Sequence, residues 1–160
     1  MGLDMYLKAK TYVDKRDWNV KNNDEEPQVT QKFKDMLKLF PELNTGDCYG
    51  FEVSRVIGYW RKANAIHNWF VENVQGGTDE CQESYVARNQ LEELRDTIDK
   101  VLADPSLADE LLPTCMGCFF GSQEYDDWYV SDLLDTKTLI NNLLDNRELE
   151  SYDFYYQASW

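Results

Sequence analysis

The sequence is short of most things that a common catalyst or a secreted domain requires. Its 160 residues include one histidine, four cysteines and four prolines. No apolar run approaches the roughly 18 residues that cross a bilayer, so no membrane is expected among its partners. The opening stretch MGLDMYLKAKTYVDKRDW is interrupted by Asp4, Lys8 and Lys10, which is unlike a signal peptide. Tyr6 occupies the position where N-myristoylation needs Ser or Thr. A cytoplasmic location in the host cell is the resulting expectation. There Cys48, Cys81, Cys115 and Cys118 are expected as thiols. Cys115 and Cys118 form a lone CxxC, and Cys48, Cys81 and His67 make no second close pair, so no metal site is predicted. Phe119-Phe120-Gly121 reads as a strand continuing from Cys115, not as the helix start that activates a thioredoxin-type cysteine. No P-loop, GxGxxG, GxSxG or HExxH occurs. Neither a cofactor nor a catalytic residue is assigned, and the balance leans away from an enzyme.

Basic excess is also missing. Up to Gln75 there are eleven acidic and eleven basic residues, and from Gly76 onward nineteen acidic and five basic, so the whole net charge of -14 belongs to the second half. Without a basic stripe to displace counterions, direct nucleic-acid binding is not expected. A carboxylate-rich surface attracts basic surfaces within a Debye length of about 8 Å at physiological salt, and it also keeps a protein soluble. What remains is an ordinary globular composition, 42% apolar and 29% charged, unusually rich in aromatics at 14%. Its length suits one domain over 1–160.

Leu3, Met5, Leu7 and Ala9 alternate with polar residues, predicting a half-buried strand over 3–13. Asp14 to Gln28 reads as an exposed loop. Val29, Phe33, Met36, Leu37 and Phe40 recur at helical spacing before Pro41. A second extended segment begins at Tyr49, and Gly58 is expected to mark its change into a helix carrying Trp60, Ala63, His67, Phe70 and Val74, which Gly76-Gly77 stops. Leu91, Leu94, Ile98, Val101 and Leu102 outline a third helix. A strand from Cys115 to Gly121, a polar turn, a fourth helix over about 128–145 and a closing aromatic strand follow. The pattern predicts an α+β domain: an antiparallel or mixed sheet packed with about four helices.

Three features invite a functional reading. His67, the single histidine, is the natural acid–base group, yet its apolar stripe favours a buried, hydrogen-bonded imidazole. The string from Tyr59 to Trp69 mixes aromatic and cationic residues. A pocket made from Trp60, Arg61, Asn64 and His67 would suit a small anionic ligand or nucleotide. The competing reading has Arg61 and Lys62 paired with acids of the second half. Third, Glu124, Tyr125, Asp126, Asp127, Trp128 and Tyr129 combine carboxylates with aromatics that anchor interfaces. The alternative there is a solvated helix start with its acids favoured by the helix dipole.

The strings MGLDMYL at the start, GYWRKANAIH at 58–67 and FFGS at 119–122 resemble a family of small uncharacterised proteins encoded by phages, prophages and some bacteria. The resemblance covers most of the chain and implies a phage or mobile-element setting; it transfers no catalytic residue. Together these features lead to the expectation of a non-enzymatic, anti-defence (anti-CRISPR-like) inhibitor that docks on a basic host protein surface. A pocket for a small molecule or nucleotide around the GYWRKANAIH segment is the alternative, and a homo-oligomeric accessory a third.

Overall fold

The computed structural model describes residues 2–17 and 28–160, so most of the expected loop between Asp14 and Gln28 lies outside the described residues. The fold is α+β, with a four-stranded antiparallel sheet in the order β2-β1-β4-β3. The strands are β1 (Asp4–Asp14), β2 (Gly50–Arg61), β3 (Ser84–Val86) and β4 (Asp153–Ser159). The helices are α1 (Gln31–Leu39), α2 (Asn64–Asn73), α3 (Arg88–Ala103), the single turn α4 (Ala108–Leu111) and α5 (Asp127–Asp145). Two compact units result. One contains the described part of Met1–Ala9 with Arg55–Trp160, and the other Lys10–Ser54.

In the larger unit the period of two works as expected. Leu3, Met5, Leu7 and Ala9 of β1 and Phe154, Tyr156 and Ala158 of β4 are buried in one core with residues of α2, α3 and α5. The opposite face keeps polar residues such as Lys8, whose ammonium donates to Glu83 and Gln157. β3 pairs with β4 through Ser84–Tyr156, Tyr85–Tyr155 and Val86–Phe154. Buried Leu91, Leu94, Ile98 and Val101 confirm the three-and-four spacing of α3. The Arg88 guanidinium, at its start, donates to the carbonyls of Leu144, in the last turn of α5, and Leu149, in the turn that follows it, at 3.2 and 3.3 Å. Positive φ angles at Gly76 (66°) and Gly77 (76°) turn the chain after α2.

Two local expectations are corrected. Gly58 does not switch strand to helix; β2 continues to Arg61. A Cβ on Gly58 would come within 2.6 Å of a Leu139 methyl and 3.2 Å of Leu7 Cβ, so the glycine lets α5 lie close against the sheet. Trp60 and Arg61 are therefore strand residues pointing to opposite faces, Trp60 buried and Arg61 exposed, not parts of one helical stripe. The segment from Cys115 to Gly121 is a turn-rich loop, not a strand, with Phe119 (φ 66°) and Gly121 (φ 101°) in left-handed or related backbone regions that a strand excludes.

In the smaller unit Thr30 caps α1, accepting from Phe33 N–H at 3.2 Å and donating to the Asp14 carbonyl at 2.8 Å. Of the helical stripe read in the sequence, Phe33 alone is buried, against Phe51 at 5.1 Å between ring centres. Met36 and Leu37 are half-buried, and Phe40 is exposed.

Candidate functional site

β2 ends at Arg61, and the chain must reverse to start α2 at Asn64. It does so through Lys62, a non-glycine residue at φ 63°. Such backbone costs about 1–3 kcal/mol and persists only where its surroundings hold it. Here Lys62 N–H donates to the Leu3 carbonyl at 2.8 Å, and the Lys62 carbonyl accepts from Asn64 N–H at 2.9 Å. The 119–121 turn lies beside it: a Cβ on Gly121 would stand 3.1 Å from both the carbonyl oxygen and Cβ of Lys62.

Asn64 ties the two turns together. It is buried; its Nδ2 donates to the carbonyls of Phe120 (3.2 Å) and Ser122 (2.7 Å), while its Oδ1 accepts from Cys115 N–H at 3.3 Å. All three groups of the amide are used internally, so Asn64 shapes the site from below. Asn64→Ala should cost about 2–3 kcal/mol from three lost hydrogen bonds. Hydrogen exchange should show the amides of 115–122 losing protection before the rest of the unit.

Above these turns lies a cleft of about 330 Å³, at the small end of the range for ligand sites. Arg61 and Lys62 line it together with Glu124, Asp126 and Asp132. Thr114 and Ser122 supply hydroxyls, and Trp128 stands 79% exposed at the margin. Contrary to the pairing expected from the sequence, neither Arg61 nor Lys62 forms an ion pair among the described residues. Asp126 is occupied as the N-cap of α5, its Oδ1 accepting from Trp128 and Tyr129 N–H at 3.0 Å each. Asp132 differs: its half-buried carboxylate meets no donor among the described residues. Burial first, then the charges of Asp135 and Asp126, push its pKa up to about 6. Arg61 and Asp132 also line a neighbouring depression of about 410 Å³ that includes Tyr59 and Asp135.

The residues read from the sequence thus divide between cleft and interior. Arg61 and Asn64 line the cleft, together with Glu124, Asp126, Trp128 and Tyr129. Tyr129 is buried and donates its hydroxyl to the Leu112 carbonyl at 3.0 Å, so it presents little to a partner. Tyr125 is partly exposed, stacked edge-on against Tyr129 and donating to Asp109 at 2.9 Å. Asp127 is exposed outside the cleft. Trp60 is core, donating its indole N–H to Thr136 at 2.8 Å. Lys62, Asp132, Thr114 and Ser122 join the cleft without having been singled out as ligand groups. Comparisons with protein-family models, curated proteins and solved structures find no match.

His67 belongs elsewhere. It is 1% exposed. Its Nε2–H donates to Asp79 Oδ2 at 3.0 Å, since a carboxylate only accepts, and its Nδ1 therefore accepts from the Tyr156 hydroxyl at 2.8 Å. Trp160 Nε1 donates to the same Asp79 oxygen at 2.7 Å. The Asp79–His67–Tyr156 line looks like a relay, but both ring nitrogens are engaged internally. Burial lowers the His67 pKa against the opposing pull of Asp79, and burial holds the Tyr156 hydroxyl well above its ordinary value. Both are neutral at pH 7. Cys115 is no nucleophile in this setting: burial pushes its thiol up to about 11, and only the thiolate attacks. All four cysteines are free thiols. No group of three or more metal-ligating side chains gathers among the described residues, and none of their helices is long and apolar enough to cross a membrane.

Proposed function

We propose that this protein binds a small anionic ligand in the cleft at the β2–α2 junction. The observation that carries this is the convergence on one cavity of two stretches far apart in sequence, Arg61–Ile66 and Thr114–Leu133, with two unpaired cations in the lining. A cation left without a partner beside a concave surface attracts anions. The cleft's hydroxyls, from Thr114 and Ser122, have no histidine beside them, which favours binding over turnover. A thermal-shift panel of anionic metabolites tests it. A ligand at a hundred times its Kd adds about 2.7 kcal/mol, or roughly 5–10 °C for a chain of this size. That shift should vanish in the double variant Arg61→Ala, Lys62→Ala. No shift from any anion, or one that survives in the double variant, would overturn the proposal.

A second reading rests on a different observation, the charge asymmetry. Met116, Phe119 and Trp128 are exposed near the acidic 122–129 turn, and Asp127 and Glu124 lie beside them in sequence. Apolar anchors with carboxylates at the rim suit a basic partner. Under this reading the protein is a phage-type inhibitor that occupies the nucleic-acid-binding face of a host defence nuclease. Its expression in a host with an active nuclease should raise phage plating efficiency. The Asp127→Asn, Trp128→Ala variant should lose that effect. Equal plating with and without the protein would remove this reading and leave the cleft untouched.

A further inference from the structure

A lining of mixed charge restricts what the cleft can hold. An anion alone would satisfy Arg61 and Lys62 but would leave the Asp132 carboxylate in the same cleft without a donor. A simple cation would satisfy Asp132 and be repelled by Arg61 and Lys62. The ligand must therefore carry an anionic group and, some distance from it, N–H donors directed at a carboxylate. Trp128 adds a third requirement. An indole so exposed at the margin of a polar cleft offers its face to a planar ring.

Resting on the anion-binding reading above, we infer that the ligand is a guanine nucleotide, its base stacked on Trp128 with N1–H and N2–H donated to Asp132 and its phosphate held by Arg61 and Lys62. A carboxylate only accepts, and its two oxygens match two adjacent parallel donors. Guanine is the common base whose pairing edge offers such a couple. Adenine and cytosine each set an acceptor beside their amino group, which a carboxylate repels. Uracil has one N–H between two carbonyls. An arginine side chain from a partner protein also offers paired donors and a stacking plane, but its charge would be opposed by Arg61 and Lys62. The Thr114 hydroxyl donates to the Gln123 carbonyl at 3.1 Å, whereas the Ser122 hydroxyl, which accepts from Glu124 N–H, keeps its O–H for a sugar or phosphate oxygen.

Calorimetric titration of the full chain with GMP, IMP, AMP, inorganic phosphate and N-acetyl-arginine amide tests the assignment. GMP is expected to bind, and IMP, which lacks only the 2-amino group, about 10–100-fold more weakly, as removal of one hydrogen bond to a charged acceptor predicts. AMP and phosphate should bind more weakly still. Asp132→Asn should abolish the preference for GMP over AMP, and Trp128→Ala should weaken all three nucleotides together. Equal binding of GMP, IMP and AMP, lost in the Arg61→Ala, Lys62→Ala variant, would overturn guanine recognition while leaving an anion cleft in place. Binding of the arginine amide without GMP would overturn it in favour of a protein partner. An unchanged GMP preference in Asp132→Asn would also overturn it.

Discussion

His67→Ala is expected to lower stability by about 3 kcal/mol, because the change opens a cavity beside Phe120 and Tyr156 and leaves the buried Tyr156 hydroxyl without its acceptor. Urea unfolding at pH 7.5 measures this directly. The acid limb adds a second signature. Because burial lowers the folded-state pKa of His67 below its ordinary 6.5, the unfolded chain takes up its proton first as pH falls. The stability His67 contributes is therefore complete above about 6.5 and is lost progressively below it. Wild type and variant should converge between pH 7.5 and 5.5. A constant gap across that range would mean that the imidazole is not held neutral by the fold.

Asp132→Asn should do the opposite and stabilise the protein. Its carboxyl is raised from an ordinary 3.8 to about 6, so between those values the folded state binds more protons than the unfolded one. Ionisation of Asp132 thus destabilises the fold above pH 6, and the penalty disappears as pH falls through 6 toward 3.8. A displacement of that size would convert to about 3 kcal/mol; solvent screening at this half-exposed position reduces that to about 1–2 kcal/mol. A neutral isostere should gain that amount at pH 7.5, raise Tm by roughly 2–6 °C, and lose its advantage near pH 4. Most substitutions destabilise. A position where the native residue is the less stable choice marks a group kept for what it does.

The architecture was legible in places where one physical rule dominates. Alternation from Leu3 to Ala9 and the three-and-four spacing from Leu91 to Val101 each reflect burial of one face against one core. Where two rules competed, the reading failed. Trp60 and Asn64 fit a helical stripe, but β-branched and aromatic residues upstream carry β2 through Gly58, whose lack of a side chain serves packing against Leu139. The run from Cys115 to Phe120 is apolar enough for a strand. Its placement instead depends on hydrogen bonds from Asn64, fifty residues away. β3 is three residues long, too short for any periodicity. For the site, both contributing strings stood out by composition, while their meeting did not, because convergence is a tertiary property. Asp132 gave no signal at all: an Asp on a helix reads as solvated, and its partial burial is a tertiary property.

The central physical claim is that Asp132 is a carboxylate without a donor, waiting in a cleft for one. A carbon-13 NMR titration of its side-chain carboxyl in the free protein measures this with no ligand assumed. The structure predicts a midpoint near pH 6, moving downward when GMP is saturating. A midpoint near the ordinary 3.8 in the free protein would mean that a donor already satisfies Asp132, and the cleft would lose the feature that makes it a site.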